Sequence, residues 1–326
     1  MAPDKFRGTL TAAQAAAALG AGLRRAGHEV TEMPLADGGE GTLDVLGGAN
    51  RTTLVSDPLG DPVEAGWRLS RGLAVIEMAR ASGLDLVGGA EGNDVVAAST
   101  YGTGELVSAA VEAGAKEVVV GVGGSATVDG GLGALRALYP VHRLRGVRMT
   151  VACDVRTRFV DAARVFGPQK GATEAQVELL TRRLERLAGS YAEEYGVDVT
   201  SLEGAGAAGG LAGGLACVGA ELVAGFDLVA ERLGLDDALE EVDAVVTGEG
   251  FLDDESFDGK VVGGVLDAAA HLGVPVVAVV GECFDGAAAR LPTVSLVEAF
   301  GADAALGDAG GCLFDAADLV GERLAT

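Results

Sequence analysis

The sequence predicts an α/β protein in which a doubly wound parallel-sheet domain, residues 1–48 and 219–326, is interrupted by an inserted mixed α/β domain, residues 49–218. Three observations lead there. Both ends of the chain alternate short apolar runs with Ala-rich helical stretches, the texture of βα units. From Arg51 onward that texture gives way to short runs divided by Pro, Gly and Asp, as in Asp57-Pro58-Leu59-Gly60-Asp61-Pro62. The composition, 49% apolar and 4% aromatic with 52 glycines among 326 residues, suits helices laid on parallel sheets.

In chain order, residues 1–9 read as a loop and Thr11 caps an Ala-rich helix to about residue 26. A strand over residues 29–35 leads into Asp37-Gly38-Gly39-Glu40-Gly41-Thr42 and a helix to about residue 46. Residues 52–55, 63–69 and 73–78 form an antiparallel meander. A helix over 103–113 precedes a buried Val-rich strand over 117–122, then a glycine-rich loop and a helix to residue 138. A strand over 147–154, a long charged helix over 173–195 and a Gly/Ala segment over 204–220 follow. Regular α/β pattern returns near residue 227, with strands at 243–247, 275–280 and 293–296 and helices at 259–272 and from 308.

A net charge of −24 with no Lys/Arg cluster argues against a nucleic-acid surface. Cys153, Cys217, Cys283 and Cys312 lie far apart without metal spacing and read as thiols in a reducing compartment. His28, His142 and His271 are scattered and pair with no Ser or Cys motif. No signal peptide is visible, and the longest uncharged run, residues 204–220, holds seven glycines, too many for a membrane span. The expectation is a cytoplasmic protein that acts on a small molecule, contacts neither nucleic acid nor membrane, and is open to homo-oligomer formation.

Chemistry gathers where predicted strands turn into helices, the place where open α/β sheets bind ligands. Asp37 and Glu40, set among Gly38, Gly39 and Gly41, offer a base or a metal ligand beside a flexible backbone; the alternative is that one of them caps the helix. Gly123-Gly124-Ser125-Ala126-Thr127 presents amides and hydroxyls to phosphate oxygens, or is a turn capped by Ser125 or Asp129. Thr247-Gly248-Glu249-Gly250-Phe251-Leu252-Asp253 can hold Mg²⁺ through oxygen, with Lys260 at the start of the next helix; its alternative is a solvated acidic loop. Phe166-Gly167-Pro168-Gln169-Lys170 adds an amide and an ammonium. Gly204-x-Gly206-x-x-Gly209 matches the dinucleotide fingerprint, but no βαβ unit frames it and helix packing is the stronger reading. No GxxxxGK[ST] exists, since Val261 follows Gly259-Lys260, which excludes a P-loop NTPase. Nothing supplies a covalent nucleophile with a base, so the set points to phosphoryl transfer, which needs positioning and charge neutralisation.

Together these motifs resemble the bacterial glycerate kinases whose sequences begin Ala-Pro-Asp. The matching segments are Ala2-Pro3-Asp4-Lys5-Phe6-Arg7-Gly8-Thr9-Leu10, Ala36-Asp37-Gly38-Gly39-Glu40-Gly41-Thr42, Gly123-Gly124-Ser125-Ala126-Thr127 and Asp129-Gly130-Gly131. Cys153-Asp154-Val155, Phe166-Gly167-Pro168-Gln169-Lys170-Gly171-Ala172, residues 204–211 and Thr247-Gly248-Glu249-Gly250 follow in family order. The resemblance implies a discontinuous flavodoxin-like domain with an inserted mixed α/β domain, the active site in the cleft between them, and ATP-dependent phosphorylation of D-glycerate at the 2-hydroxyl with Mg²⁺. On that footing Asp37 or Asp4 orients or deprotonates the hydroxyl, and Glu249 and Asp253 hold Mg²⁺. Lys260, Lys170 or Arg7 binds the substrate carboxylate or the transferring phosphate. Gly38, Gly39, Glu40, Gly123, Gly124, Ser125, Thr127, Asp129 and Gln169 complete the binding set.

The chain departs from the family pattern in having no strand before Ala2, a shorter span between Leu138 and Val151, and Arg156-Thr157-Arg158-Phe159 after Asp154. Loss of the first strand would remove sheet pairing beside Asp4. The alternatives are 3-hydroxyl phosphorylation, a nucleotide-dependent oxidoreductase reading residues 204–209, and an inactive ligand-binding homologue.

Overall fold

The computed structural model describes residues 1–6, 8–284 and 286–324. Among the described residues are ten strands, β1 (Ala2–Pro3), β2 (Arg51–Ser56), β3 (Pro62–Ser70), β4 (Leu73–Glu77), β5 (Glu117–Gly121), β6 (Arg148–Cys153), β7 (Glu221–Ala224), β8 (Val245–Leu252), β9 (Val276–Cys283) and β10 (Thr293–Ser295). The chain divides into a terminal unit, residues 1–37 and 225–326, and an inner unit, residues 38–224.

The terminal unit carries a parallel sheet in the order β1-β8-β9-β10. Residues 29–35, expected as a strand, run alongside β1 without joining a regular ladder. Met33 N–H donates to the Met1 carbonyl at 2.8 Å and Leu35 N–H to the Pro3 carbonyl at 2.9 Å. The Met1 amine donates back to the Thr31 carbonyl at 2.8 Å, but the next return bond would need an N–H from Pro3, which proline lacks, so the pairing stays incomplete. Counting this segment, the order is second-first-third-fourth-fifth, the flavodoxin order, with its switch point between β1 and β8. Pairing beside Asp4, expected to be lost, is present: Asp4 N–H donates to the Gly248 carbonyl at 2.8 Å. The helix Ala12–Arg25 begins with a capping box of Thr11 and Gln14, worth about 1 kcal/mol. Its Leu19 and Leu23 join Val277, Val279, Leu313 and Val320 in the core.

The inner unit has a six-stranded sheet, β2-β3-β4-β5-β6-β7. The expected meander is there, β2 and β3 antiparallel and β3 and β4 antiparallel. From β4 to β7 the pairing is parallel. Val118, Val119 and Val120 of β5 are fully buried, as a strand covered on both faces requires. β7, four residues long, was not expected, because too short a run separates it from the preceding Gly/Ala segment. It holds the boundary of this unit at residue 224, beyond the change of texture at 219. The other boundary falls between Asp37 and Gly38, since Gly41 and Leu43 hydrogen-bond to Glu77 of β4.

The fingerprint-like segment is a packing element. In the helix Ala207–Ala216, Ala208, Gly209 and Gly210 adopt left-handed angles. Gly209 lies so near the Thr127 carbonyl that a β-carbon would collide with it, and its own carbonyl accepts Gly130 N–H at 3.0 Å. These glycines brace residues 127–131 from below.

Candidate active site

In the terminal unit, carboxylates collect at the carboxyl ends of the strands flanking the switch point. Asp4 follows β1, Asp37 follows residues 29–35, and Glu249 lies in β8. Asp4 is 8% exposed, and its Oδ1 accepts Lys5 N–H at 2.6 Å. Burial first, then the Asp37 charge, pushes the Asp4 carboxyl up to about 7. Burial also pushes Glu249 up to about 7, with Asp253 and Asp37 adding to the effect and Ser256 and Lys260 opposing it. Among the described residues the Oε1 of Glu249, which is buried, has no hydrogen-bond partner. Asp253 Oδ1 caps the turn Asp254–Phe257 by accepting Ser256 N–H at 3.1 Å. Lys260 Nζ stands 3.5 Å from Glu255 Oε2. Among the described residues no three acidic, His or Cys side chains form a preformed metal cage. Mg²⁺ commonly takes only one or two carboxylates and keeps water or phosphate for the rest. The orphaned Glu249 oxygen, near two further carboxylates, fits such an ion. Arg7 lies outside the described residues.

In the inner unit, two glycine loops meet at the carboxyl end of β5. A β-carbon on Gly121 would stand 2.6 Å from the Gly38 carbonyl, and one on Gly123 would stand 2.9 Å from Gly39 Cα. Only glycine permits this approach. Ser125 bridges to Gly83 in antiparallel fashion, and Leu84 N–H donates to the Gly124 carbonyl at 2.9 Å. Lys170 lies beneath the loop, 3% exposed. Its Nζ donates to Ser125 Oγ at 2.7 Å and to the Thr127 carbonyl at 2.8 Å. Burial pulls this ammonium down to about 7, against the opposing charge of Asp129. Asn93 Nδ2 donates to the Ala126 and Lys170 carbonyls, at 3.0 and 2.9 Å.

The sequence-level candidates therefore divide. Asp4, Asp37, Glu249, Asp253 and Lys260 belong to the terminal unit; Gly38, Gly39, Glu40, Gly123, Gly124, Ser125, Thr127, Asp129, Gln169 and Lys170 belong to the inner one. Asp129 takes the capping role. Its carboxylate accepts Thr100 N–H and Oγ1–H, Gly131 N–H and Gly133 N–H at 2.8–3.1 Å, which leaves a ligand little to bind. Lys170 is committed to the loop it supports. Gln169 and Glu40 are exposed. Glu77, missed in the sequence, is buried at the end of β4 and accepts Gly41 and Leu43 N–H, each at 2.9 Å. A lone acidic residue ending an apolar strand was the available signal.

The glycerate kinase family model matches residues 1–140 and 139–323. A glycerate kinase of Halalkalibacterium halodurans is 40% identical over 88% of this chain and 86% of its own. The glycerate 2-kinase of Escherichia coli K12 is 38% identical over 87% and 85%. A crystal structure assigned as a glycerate kinase 2 of Salmonella typhimurium LT2 superposes with a TM-score of 0.82 at 33% identity, covering 99% of this chain and 97% of that one. The fold, its carboxylate-bearing switch point and these relatives define an α/β kinase without a P-loop. The chain belongs to the glycerate kinase family. That membership removes the oxidoreductase reading, in keeping with the packing role of residues 204–214. Among the described residues no helix is long and apolar enough to cross a membrane.

Proposed function

We propose that the chain transfers the terminal phosphoryl group of ATP to the 2-hydroxyl of D-glycerate. The observation that carries this reading is the convergence of Asp4, Asp37 and Glu249 at the switch point, with Asp4 and Glu249 both raised to about 7. A general base works best with a pKa near the operating pH. In this reading Asp37 orients the 2-hydroxyl and Asp4 accepts its proton as the oxygen bonds to phosphorus. The bond to the bridging oxygen of ADP breaks, and ADP leaves with that electron pair. Glu249 and Asp253 are the residues that would hold Mg²⁺, which when bound neutralises charge on the phosphoryl oxygens. Lys260 lies close enough to lower the proton affinity of Glu249, consistent with a cation near the transferring group. The backbone of residues 123–127, braced by Lys170, cradles phosphate oxygens. The name of the E. coli relative favours the 2-position.

The test is incubation with ATP, Mg²⁺ and D-glycerate, followed by enolase alone. Phosphoenolpyruvate without added mutase is the expected result. ADP without phosphoenolpyruvate would mean the 3-position, and no ADP would end the kinase reading.

A further inference from the structure

Glu77 does more than anchor a turn. Its Oε2 accepts Arg80 Nε at 3.1 Å while its Oε1 holds the two backbone donors from Gly41 and Leu43. The carboxylate side chain is 3% exposed and the guanidinium side chain 47%. Among the described residues the two terminal nitrogens of Arg80 make no hydrogen bond to the protein. The guanidinium is therefore held through Nε on a half-exposed side chain, and its terminal pair of donors is the kind that matches two oxygens of a carboxylate or phosphate.

What surrounds it is bare backbone. Glu77 pairs in register with Gly121, which abuts Gly38. A β-carbon on Gly124 would meet the Ala79 β-carbon at 3.5 Å, so the residue next to Arg80 borders the glycine loop. Lys170, one of the three cations expected from sequence to meet an anion, is buried and bound to Ser125 and Thr127. Arg80 is the cation adjoining that border in sequence.

We propose that Arg80, oriented by the buried Glu77, is an anion-binding residue of the glycine-loop site and takes the carboxylate of the acid substrate or a phosphate of the nucleotide. The proposal rests on the kinase reading above. Steady-state kinetics of the full chain, with D-glycerate and ATP varied in turn, tests it in Arg80→Ala and Arg80→Lys. The expected result for Arg80→Ala is a rise of about tenfold or more in one KM, with kcat within about threefold, the pattern of lost ground-state binding. Arg80→Lys recovers part of it, because charge returns without the fork. A rise confined to D-glycerate identifies the carboxylate; a rise confined to ATP identifies the phosphate. Glu77→Gln keeps an acceptor for Gly41 and Leu43 but loosens Arg80, so the same KM rises by a smaller factor. Both KM values within about twofold of wild type in Arg80→Ala, or a loss carried entirely by kcat, overturns the proposal. Absence of turnover in the wild-type chain is a separate result that removes the kinase reading on which it rests.

Discussion

In the terminal unit the buried charges are short of partners, while in the inner unit they are supplied with them. Asp4 and Glu249 share a desolvated neighbourhood with Asp37, and one Glu249 oxygen has no donor among the described residues. Asp129, by contrast, accepts four hydrogen bonds, and Glu77 accepts three. The difference teaches what each does. Unsatisfied carboxylates raise the energy of the empty site and create affinity for a proton or a cation. Satisfied ones hold loops in a fixed shape, as a site built from backbone amides requires.

Four changes break or sharpen this contrast. The largest effect is expected for Asp37→Asn, which keeps the shape but removes the charge. Turnover with D-glycerate falls by about a hundredfold or more while the melting temperature holds or rises. Near-wild-type kcat would make Asp37 a turn residue only. Asp129→Ala acts the opposite way, removing a carboxylate from four donors. It lowers the unfolding free energy by about 3 kcal/mol in a denaturant titration. Gly123→Ala forces a β-carbon to within 2.9 Å of Gly39. It costs about 1–3 kcal/mol of stability, read in the same titration, and raises KM for ATP. The last change concerns a pH slope from Lys170. Its folded-state value of about 7 lies below the ordinary 10.5, so wild-type stability rises with pH across that window and is lost as pH falls through it. Lys170→Met removes this contribution and flattens the slope, which melting curves from pH 7 to 10 record.

The sequence made the architecture legible where local pattern and tertiary demand agree. The cap at Thr11, the long helix from about residue 173, the meander and the all-Val centre of β5 follow from local pattern. Residues 29–35 look like a strand, but their neighbour presents Pro3, and a missing donor on the partner strand is invisible in the segment itself. The candidate site was legible as loops and not as roles. Spacing marked Asp37, Asp129 and Lys170 alike, yet only tertiary neighbours separate a carboxylate facing other carboxylates from one encircled by amides. Glu77 escaped because its partners, Gly41 and Leu43, lie far from it in sequence.

The most direct measurement is Asp4→Asn, followed by thermal melting without Mg²⁺ at pH 4 and pH 8 and by kcat with D-glycerate. A carboxyl raised from 3.8 to about 7 leaves the folded state fully stable below its unfolded value, and that stability is lost as pH rises through 7. Asp4→Asn is expected to melt higher than wild type at pH 8, with the gap closing toward pH 4, and its kcat to drop by about a hundredfold or more. A variant that melts lower at pH 8, or that turns over like wild type, would contradict it.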